Sequence, residues 1–429
     1  KKMFLAGFKP RSEHKIGVEW EKLGVYRDSC LAIPYKGERG VERIFKALIR
    51  DFGWRSASSA NTPIIALRRK GASITLEPGG QIELSGQKQA SLCANFKELF
   101  LHLDEIRSIS RELGVAWLGI GAQPVSKSNS IPWVPKKRYA IMRRALQKTG
   151  RLTHSMMKET ASIQISLDYS DEGDAIQKFR LAMALAPFLT GIFANSPLER
   201  GRQSDYLSRR AHIWRHTASE RTGLMADVFK KRFGFGEYVR HALSVPLLFI
   251  IRKDRWIAVR GRTFGDFMKK GYGPWKAESA DWRLHLSTLF TEARLKTYLE
   301  IRSIDCQSIP LSLAAPALIK GIFYGRGSLK DAWKEIGGGE GAQYQKLLVD
   351  AARLGLRARW GHRFIWDTAK ELIAIAESGL PEGERHYLFP LKELVILKRK
   401  TPSQDLMDRI RAQERSMPQA ERIIRSCEI

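Results

Sequence analysis

Cysteine is scarce: the 429 residues hold four, Cys30, Cys93, Cys306 and Cys427. Their scattered positions give neither a disulfide framework nor the spacing of a zinc site. A reducing, cytoplasmic setting is the expectation. Long apolar runs are missing too. The longest candidate, Val245-Pro-Leu-Leu-Phe-Ile-Ile251, is strand-sized and far below the ~18–20 residues that span a bilayer. No membrane partner is expected. The basic start, Lys1 to Phe8, leads into no long apolar stretch, so no secretory signal is expected either. Acidic residues are outnumbered, 45 Asp and Glu against 73 Lys and Arg, for a net charge of +28. A chain this basic attracts polyanions without regard to their sequence. Its positive clusters, at 136–144, 200–221, 252–262, 353–363 and 398–400, form no single stripe interleaved with aromatics. No helix-turn-helix, zinc-finger or RNA-binding string accompanies them. Nucleic acid is therefore expected only as a non-specific partner.

Carboxylates are few, yet four of them gather in two short strings. Lys15-Ile-Gly-Val-Glu-Trp-Glu-Lys22 places Glu19 and Glu21 two apart, on one face of an extended chain. Leu76-Glu-Pro-Gly-Gly-Gln-Ile-Glu-Leu-Ser85 adds Glu77 and Glu83 on either side of a sharp Pro-Gly-Gly bend. Crowded carboxylates repel unless a cation separates them. Hard oxygen ligands suit Mg²⁺ or Mn²⁺, with phosphates completing the shell. A solvated strand face is the commoner fate of a single Glu-x-Glu, and the bend beside the second pair argues against it here.

Apolar periodicity predicts helices over 40–52, 90–113, 171–193, 282–289 and 343–356. Residues 162–169 alternate cleanly. Ile163, Ile165, Leu167 and Tyr169 face one way, and Ser162, Gln164, Ser166 and Asp168 the other. That is the period of a half-buried antiparallel strand. Residues 295–302 read as another strand, with Lys296, Tyr298, Glu300 and Arg302 on one face. The predicted class is α+β: an antiparallel sheet with one apolar face under helices and one polar face holding a site. Residues 1–330 are expected to form this core. Residues 331–429 are expected to be a basic helical extension packed on it. Gly337-Gly-Gly-Glu-Gly341 lacks the Lys-Ser/Thr of a phosphate-binding loop and reads as a flexible connection.

Further strings follow in order: Gly119-Ile-Gly-Ala-Gln-Pro124, Pro135-Lys-Lys-Arg-Tyr-Ala-Ile-Met142, Phe193-Ala-Asn-Ser-Pro197, Leu207-Ser-Arg-Arg-Ala-His-Ile-Trp214 and Glu292-Ala-Arg-Leu-Lys-Thr-Tyr-Leu-Glu-Ile-Arg302. Together with the two carboxylate strings, this ordered set resembles the plant-type glutamate–cysteine ligases, also found in bacteria, over residues 12–325. The resemblance implies a fold of the glutamine-synthetase and carboxylate-amine ligase type. It also implies ATP- and Mg²⁺-dependent joining of the glutamate γ-carboxylate to the cysteine amine through an acyl phosphate, giving γ-glutamylcysteine.

In the resembled family the metal and nucleotide site is lined by positions matching Glu19, Glu21, Glu77 and Glu83, with Gln164 and Glu300 as additions. For Gln164 the alternative is a strand-face amide bonded to a neighbour. For Glu300 it is a salt bridge with Arg302 or Lys296. Arg210 matches the arginine that grips substrate glutamate, and Arg138, beside Tyr139, matches a second substrate-side arginine. Trp214 is expected as a site wall or core residue rather than a catalytic one, and it and Tyr139 are expected on the substrate-binding side. Arg294, Lys296 and Arg302 are expected to face phosphates, with Arg210, Arg302 and Glu83 carrying the chemistry. On a strand, Arg209 would point away from Arg210.

Four positions depart from the family pattern. Glu159 stands where a basic residue is expected, Leu248 where Tyr is, Arg209 where an apolar residue is, and Trp20 where His is. If Glu159 and Leu248 touch the amino-acid pocket, the acceptor amine, or even the donor acid, differs. A ligase of the same fold with another amine or acid is thus the alternative. A nucleic-acid-binding protein that has kept a ligase fold is a third reading. Plant members are redox-regulated through paired cysteines, and the four here give no placeable pair.

Overall fold

The computed structural model describes residues 1–58, 62–414 and 416–429. Its centre is a nine-stranded sheet. The strands are β1 (Ile16–Tyr26), β2 (Arg55–Ser56), β3 (Ala66–Arg69), β4 (Ala72–Leu76), β5 (Ile82–Ser85), β6 (Val115–Leu118), β7 (Ser162–Leu167), β8 (Ala293–Leu295) and β9 (Leu299–Asp305). Their order is β8-β9-β7-β1-β5-β4-β3-β2, with β6 beside the far end of β1. Every pairing is antiparallel.

Register gives the sheet a chemically rich face. Glu19 pairs with Ser85 on one side and Gln164 on the other, while Glu21 pairs with Glu83. Glu83 in turn pairs with Thr75, and Glu300 lies between Arg294 and Ser166. With a side-chain period of two, all these groups share one face.

The opposite face is apolar. The helices used below are α1 (Val41–Phe52), α2 (Leu92–Glu112), α3 (Lys137–Leu146), α4 (Thr153–Glu159), α5 (Glu172–Ile192), α6 (Arg209–Arg215), α7 (Ile309–Tyr324), α8 (Gly341–Leu354) and α9 (Ile365–Gly379). Helix α5 is apolar almost all round and nearly wholly buried, as a helix enclosed between layers must be. It packs on β9 and is covered outside by α8 and α9, while α7 packs on β7 and β1. At the other end of the chain, the Ile429 amide donates to the Trp117 carbonyl of β6.

The predicted helices over 40–52, 90–113, 171–193 and 343–356 appear as α1, α2, α5 and α8. Two expectations need correction. The helix expected at 282–289 runs instead over Ser279–Leu286, and the chain turns at Ser287. Residues 295–302 are not one strand: Lys296–Tyr298 is the turn of a hairpin, closed by the Lys296 amide on the Tyr298 carbonyl at 2.8 Å. A third difference is one of burial. Strand β7 is buried on both faces rather than one, because α3, α4 and α6 roof the polar side of the sheet.

Candidate active site

The roof and the polar face enclose a cavity of about 250 Å³. Glu19, Glu21, Glu77, Glu83, Arg138, Tyr139, Gln164, Arg210, Trp214, Arg294, Lys296, Glu300 and Arg302 all line it. The residues singled out in the sequence thus converge from six separate segments. Sequence reasoning passed over Lys136, Thr160 and Ser287, which also line it. Lys136 lies in the string 135–142 but nothing local separates it from its neighbours there, and Thr160 and Ser287 are marked only by tertiary contact.

The bend between Glu77 and Glu83 is built for close approach. Gly80 adopts φ +89°, and a Cβ on Gly79 would lie 2.4 Å from the Lys158 carbonyl oxygen. Gln81 closes the turn by accepting from the Gly79 amide at 2.9 Å and donating to the Thr160 carbonyl at 2.9 Å. The turn therefore docks Glu77 against the end of α4.

The carboxylates divide into two groups by partner. Glu21 is buried and accepts from the Ser162 amide at 2.6 Å and Gln164 Nε2 at 2.9 Å. Glu83 accepts from the Thr75 and Ser85 hydroxyls at 3.0 Å. The Glu77 carboxylate meets the Tyr139 hydroxyl at 3.5 Å. No hydrogen-bond partner of the Glu19 carboxylate is found among the described residues. Burial, then repulsion from Glu83 and Glu300, pushes the Glu19 carboxyl well above the usual range. Burial, then Glu77 and Glu83, pushes Glu21 up to about 8. Burial and Glu83 raise Glu77 as well. This group is short of positive charge.

Glu300 is the opposite case. Burial would raise its carboxyl, but Arg294, Lys296 and Arg302 together hold it well below the usual range. The contacts are Arg294 Nε at 2.7 Å, Lys296 Nζ at 3.0 Å and Arg302 at 3.1 Å. Gln164 donates from Nε2 to Glu21 and accepts at Oε1 from the Arg302 guanidinium. Both side chains make the structural contacts weighed against ligation above. Arg294 is further tied to the Leu289 carbonyl at 2.9 Å, so of the three cations it is the most fully committed.

Arg210 and Trp214 form the opposite wall. The Arg210 guanidinium donates to the Arg302 carbonyl at 2.7 Å, while its buried Nε has no hydrogen-bond partner among the described residues. The buried Trp214 Nε1 is likewise unpartnered. Asp305, which no motif flagged, lies 3.7 Å from Arg210. It accepts from the Ser196 and Ser208 hydroxyls at 2.7 and 2.9 Å. Arg138 is held at its tip by the Ser287 carbonyl at 2.9 Å, and the Tyr139 hydroxyl donates to the Leu76 carbonyl at 2.6 Å.

Arg209 does not behave as a strand neighbour. Residues 209–215 are helical, and Arg209 is buried against Glu159 at 2.8 Å. Two departures from the expected pattern therefore answer each other. Neither Glu159 nor Leu248 is among the residues that line the cavity. Trp20, between the first two glutamates, points to the apolar face and is buried in the core.

Among the described residues no three His, Cys, Asp or Glu side chains already stand together as a metal-binding group. The charge shortage at Glu19, Glu21 and Glu77 nevertheless fits a divalent cation. Magnesium in particular takes one or two carboxylates and leaves the remaining positions to phosphate and water.

Comparison with known proteins agrees with this geometry. The chain is 36% identical over 409 residues to the chloroplastic glutamate–cysteine ligase B of Oryza sativa subsp. japonica, covering 94% of this chain and 82% of that one. It is 35% identical to the chloroplastic glutamate–cysteine ligase of Arabidopsis thaliana, covering 94% and 77%. Its fold matches that of the Francisella tularensis glutamate–cysteine ligase crystallised with AMP, at TM-score 0.57 and 13% identity, over 98% of this chain and 88% of that one. The family model matches residues 15–428, nearly the whole length. The chain belongs to the glutamate-cysteine ligase family 2.

Proposed function

We propose that the protein is an ATP-dependent ligase that joins the γ-carboxylate of glutamate to the amine of cysteine, giving γ-glutamylcysteine, the first step of glutathione synthesis. The observation that carries this is the pairing, in one cavity, of a cation-starved carboxylate row with a separate wall of guanidinium groups. Activating a carboxylate as an acyl phosphate needs charge neutralisation and alignment more than covalent help.

Glu19, Glu21, Glu77 and Glu83 would hold Mg²⁺, which when bound neutralises phosphate charge. Gln164 fixes the orientation of Glu21, and Glu300 fixes Arg294, Lys296 and Arg302. Arg302 and Lys296 then present positive charge to the transferring phosphoryl group. Arg210, Arg138 and Trp214 bind the amino acid, with the unpartnered Arg210 Nε and Trp214 Nε1 as ready donors. The γ-carboxylate oxygen attacks the terminal phosphorus of ATP and ADP leaves. The cysteine amine then attacks the acyl carbon, phosphate leaves, and the amine gives up a proton. The placement of Glu159 and Leu248 outside the cavity supports cysteine as the amine, because the departures that cast doubt on it do not touch the pocket.

A reducing compartment such as the cytoplasm suits the free thiols of the buried Cys30, Cys306 and Cys427. We read residues 331–429 as a helical extension of the core, supported by the packing of α8 and α9 on α5. No helix among the described residues is long and apolar enough to cross a membrane.

The test is ADP release on incubation with ATP, Mg²⁺ and glutamate, with candidate amines added singly. Turnover should require glutamate and be greatest with cysteine. ATP turnover that ignores glutamate, or a clear preference for another amine, would refute the assignment.

A further inference from the structure

Glu159 and Arg209 lie outside the reaction cavity, yet each is one residue from its wall. Glu159 ends α4, whose Met156 and Met157 line the cavity together with the next residue, Thr160. Arg209 begins α6, and the next residue is Arg210. Glu159 Oε2 accepts from Arg209 at 2.8 Å, with the two side chains 4% and 9% exposed. The other Glu159 oxygen accepts from the Ser128 amide at 2.8 Å, and the other end of Arg209 reaches Glu199 at 3.2 Å. The pair is thus largely buried, geometrically defined and placed behind both walls at once, and with Glu199 it borders a second cavity of about 290 Å³.

We propose that Glu159 and Arg209 are positioning residues that tie α4 to the start of α6 and thereby set where the Arg210 guanidinium stands for the substrate carboxylate. This rests on the ligase reading above. Backbone contacts support the linkage. The Arg209 amide donates to the Ser196 carbonyl at 3.1 Å and the Arg210 amide to the Ser196 hydroxyl at 3.0 Å, so the two residues share one anchor. The turn carrying Glu77 rests on α4 through Gln81 and the Lys158 carbonyl. A shift of α4 against α6 would therefore move the carboxylate row and Arg210 apart. Removing Arg209 leaves the buried Glu159 charge without its cation, and removing Glu159 leaves Arg209 only the half-exposed Glu199, whereas removing both leaves two neutral groups.

A double-mutant cycle tests this. Glu159→Gln and Arg209→Met singly should raise KM for glutamate about tenfold, within the coupling range of contacting residues, and leave KM for ATP within about twofold. The double variant should do no worse than either single change. Glu199→Gln, at the exposed end, should leave KM for glutamate unchanged. Melting temperature is followed in parallel. The proposal is overturned if melting temperature falls while KM for glutamate stays put in every variant, since the pair is then merely structural. It is equally overturned if the two single effects multiply in the double variant. Failure of the ligase reading would show beforehand, as a wild type that lacks glutamate-dependent turnover.

Discussion

Glu21 and Glu83 stand directly opposite each other on adjacent antiparallel strands, a position where like charges oppose folding. The sheet tolerates them by hydrogen-bonding each carboxylate separately and by holding the Glu21 proton to about pH 8. Such an arrangement spends stability on a site that awaits positive charge.

That relationship sets a pH dependence. In the unfolded chain Glu21 ionises at the ordinary carboxyl value; in the fold it does so near 8. The stability it contributes is full below the ordinary value and is lost as pH rises through about 8. Glu19 and Glu77 act in the same direction. In Mg²⁺-free buffer the melting temperature should fall between pH 5 and pH 8, and Glu21→Gln should flatten that fall. A decline of equal slope in the variant would refute the assignment. Added Mg²⁺ should raise the melting temperature more at pH 8 than at pH 5, because the cation displaces protons.

Turnover should respond differently. Glu19→Gln or Glu21→Gln keeps side-chain volume and removes one negative charge. Activity should drop by orders of magnitude, as for any phosphoryl transfer that loses its metal, while melting temperature holds or rises. Steady-state rates at saturating Mg²⁺ decide the matter; activity surviving both changes would put the cation elsewhere.

Arg210→Lys keeps the charge but not the fork of donors. KM for glutamate should rise by the equivalent of about 2–4 kcal/mol, the range for a charge-assisted, partly buried pair. KM for ATP should stay near wild type. Equal losses for both substrates would mean that Arg210 serves the nucleotide.

Glu300→Gln should act on stability as well as rate. It leaves Arg294, Lys296 and Arg302 facing one another around a neutral amide. A loss of about 3–5 kcal/mol is expected, as for a buried charge cluster deprived of its counter-ion. Chemical denaturation measures it, and a variant as stable as wild type would show that the cations relax outward.

A steric prediction completes the set. Gly79→Ala places a methyl against the Lys158 backbone at 2.4 Å, where no flexible side chain can give way. The turn must lift off α4, so both activity and melting temperature should fall. Gly53→Ala is a useful contrast: its site is open, and the strain comes only from φ +69°.

Local periodicity and chain chemistry were enough to place several elements and two motifs. The alternation of β7, the amphipathic or wholly apolar stretches that became α1, α2, α5 and α8, and the Glu-x-Glu and Glu-Pro-Gly-Gly strings were legible without coordinates. Each is dictated by side-chain spacing over a few residues. Residues 295–302 alternate as a strand would, and nothing local announces that Lys296–Tyr298 turns the chain instead. Which charges neutralise which depends on how the folded chain brings them together. Glu300 and Glu19 look alike in sequence, but three cations from one hairpin surround the former, while burial and the neighbouring Glu83 and Glu300 dominate the latter. Glu159 and Arg209, fifty residues apart in the chain, make sense only as a pair. Electrostatics depends on distance through space and on burial, and neither quantity is written in the order of the residues.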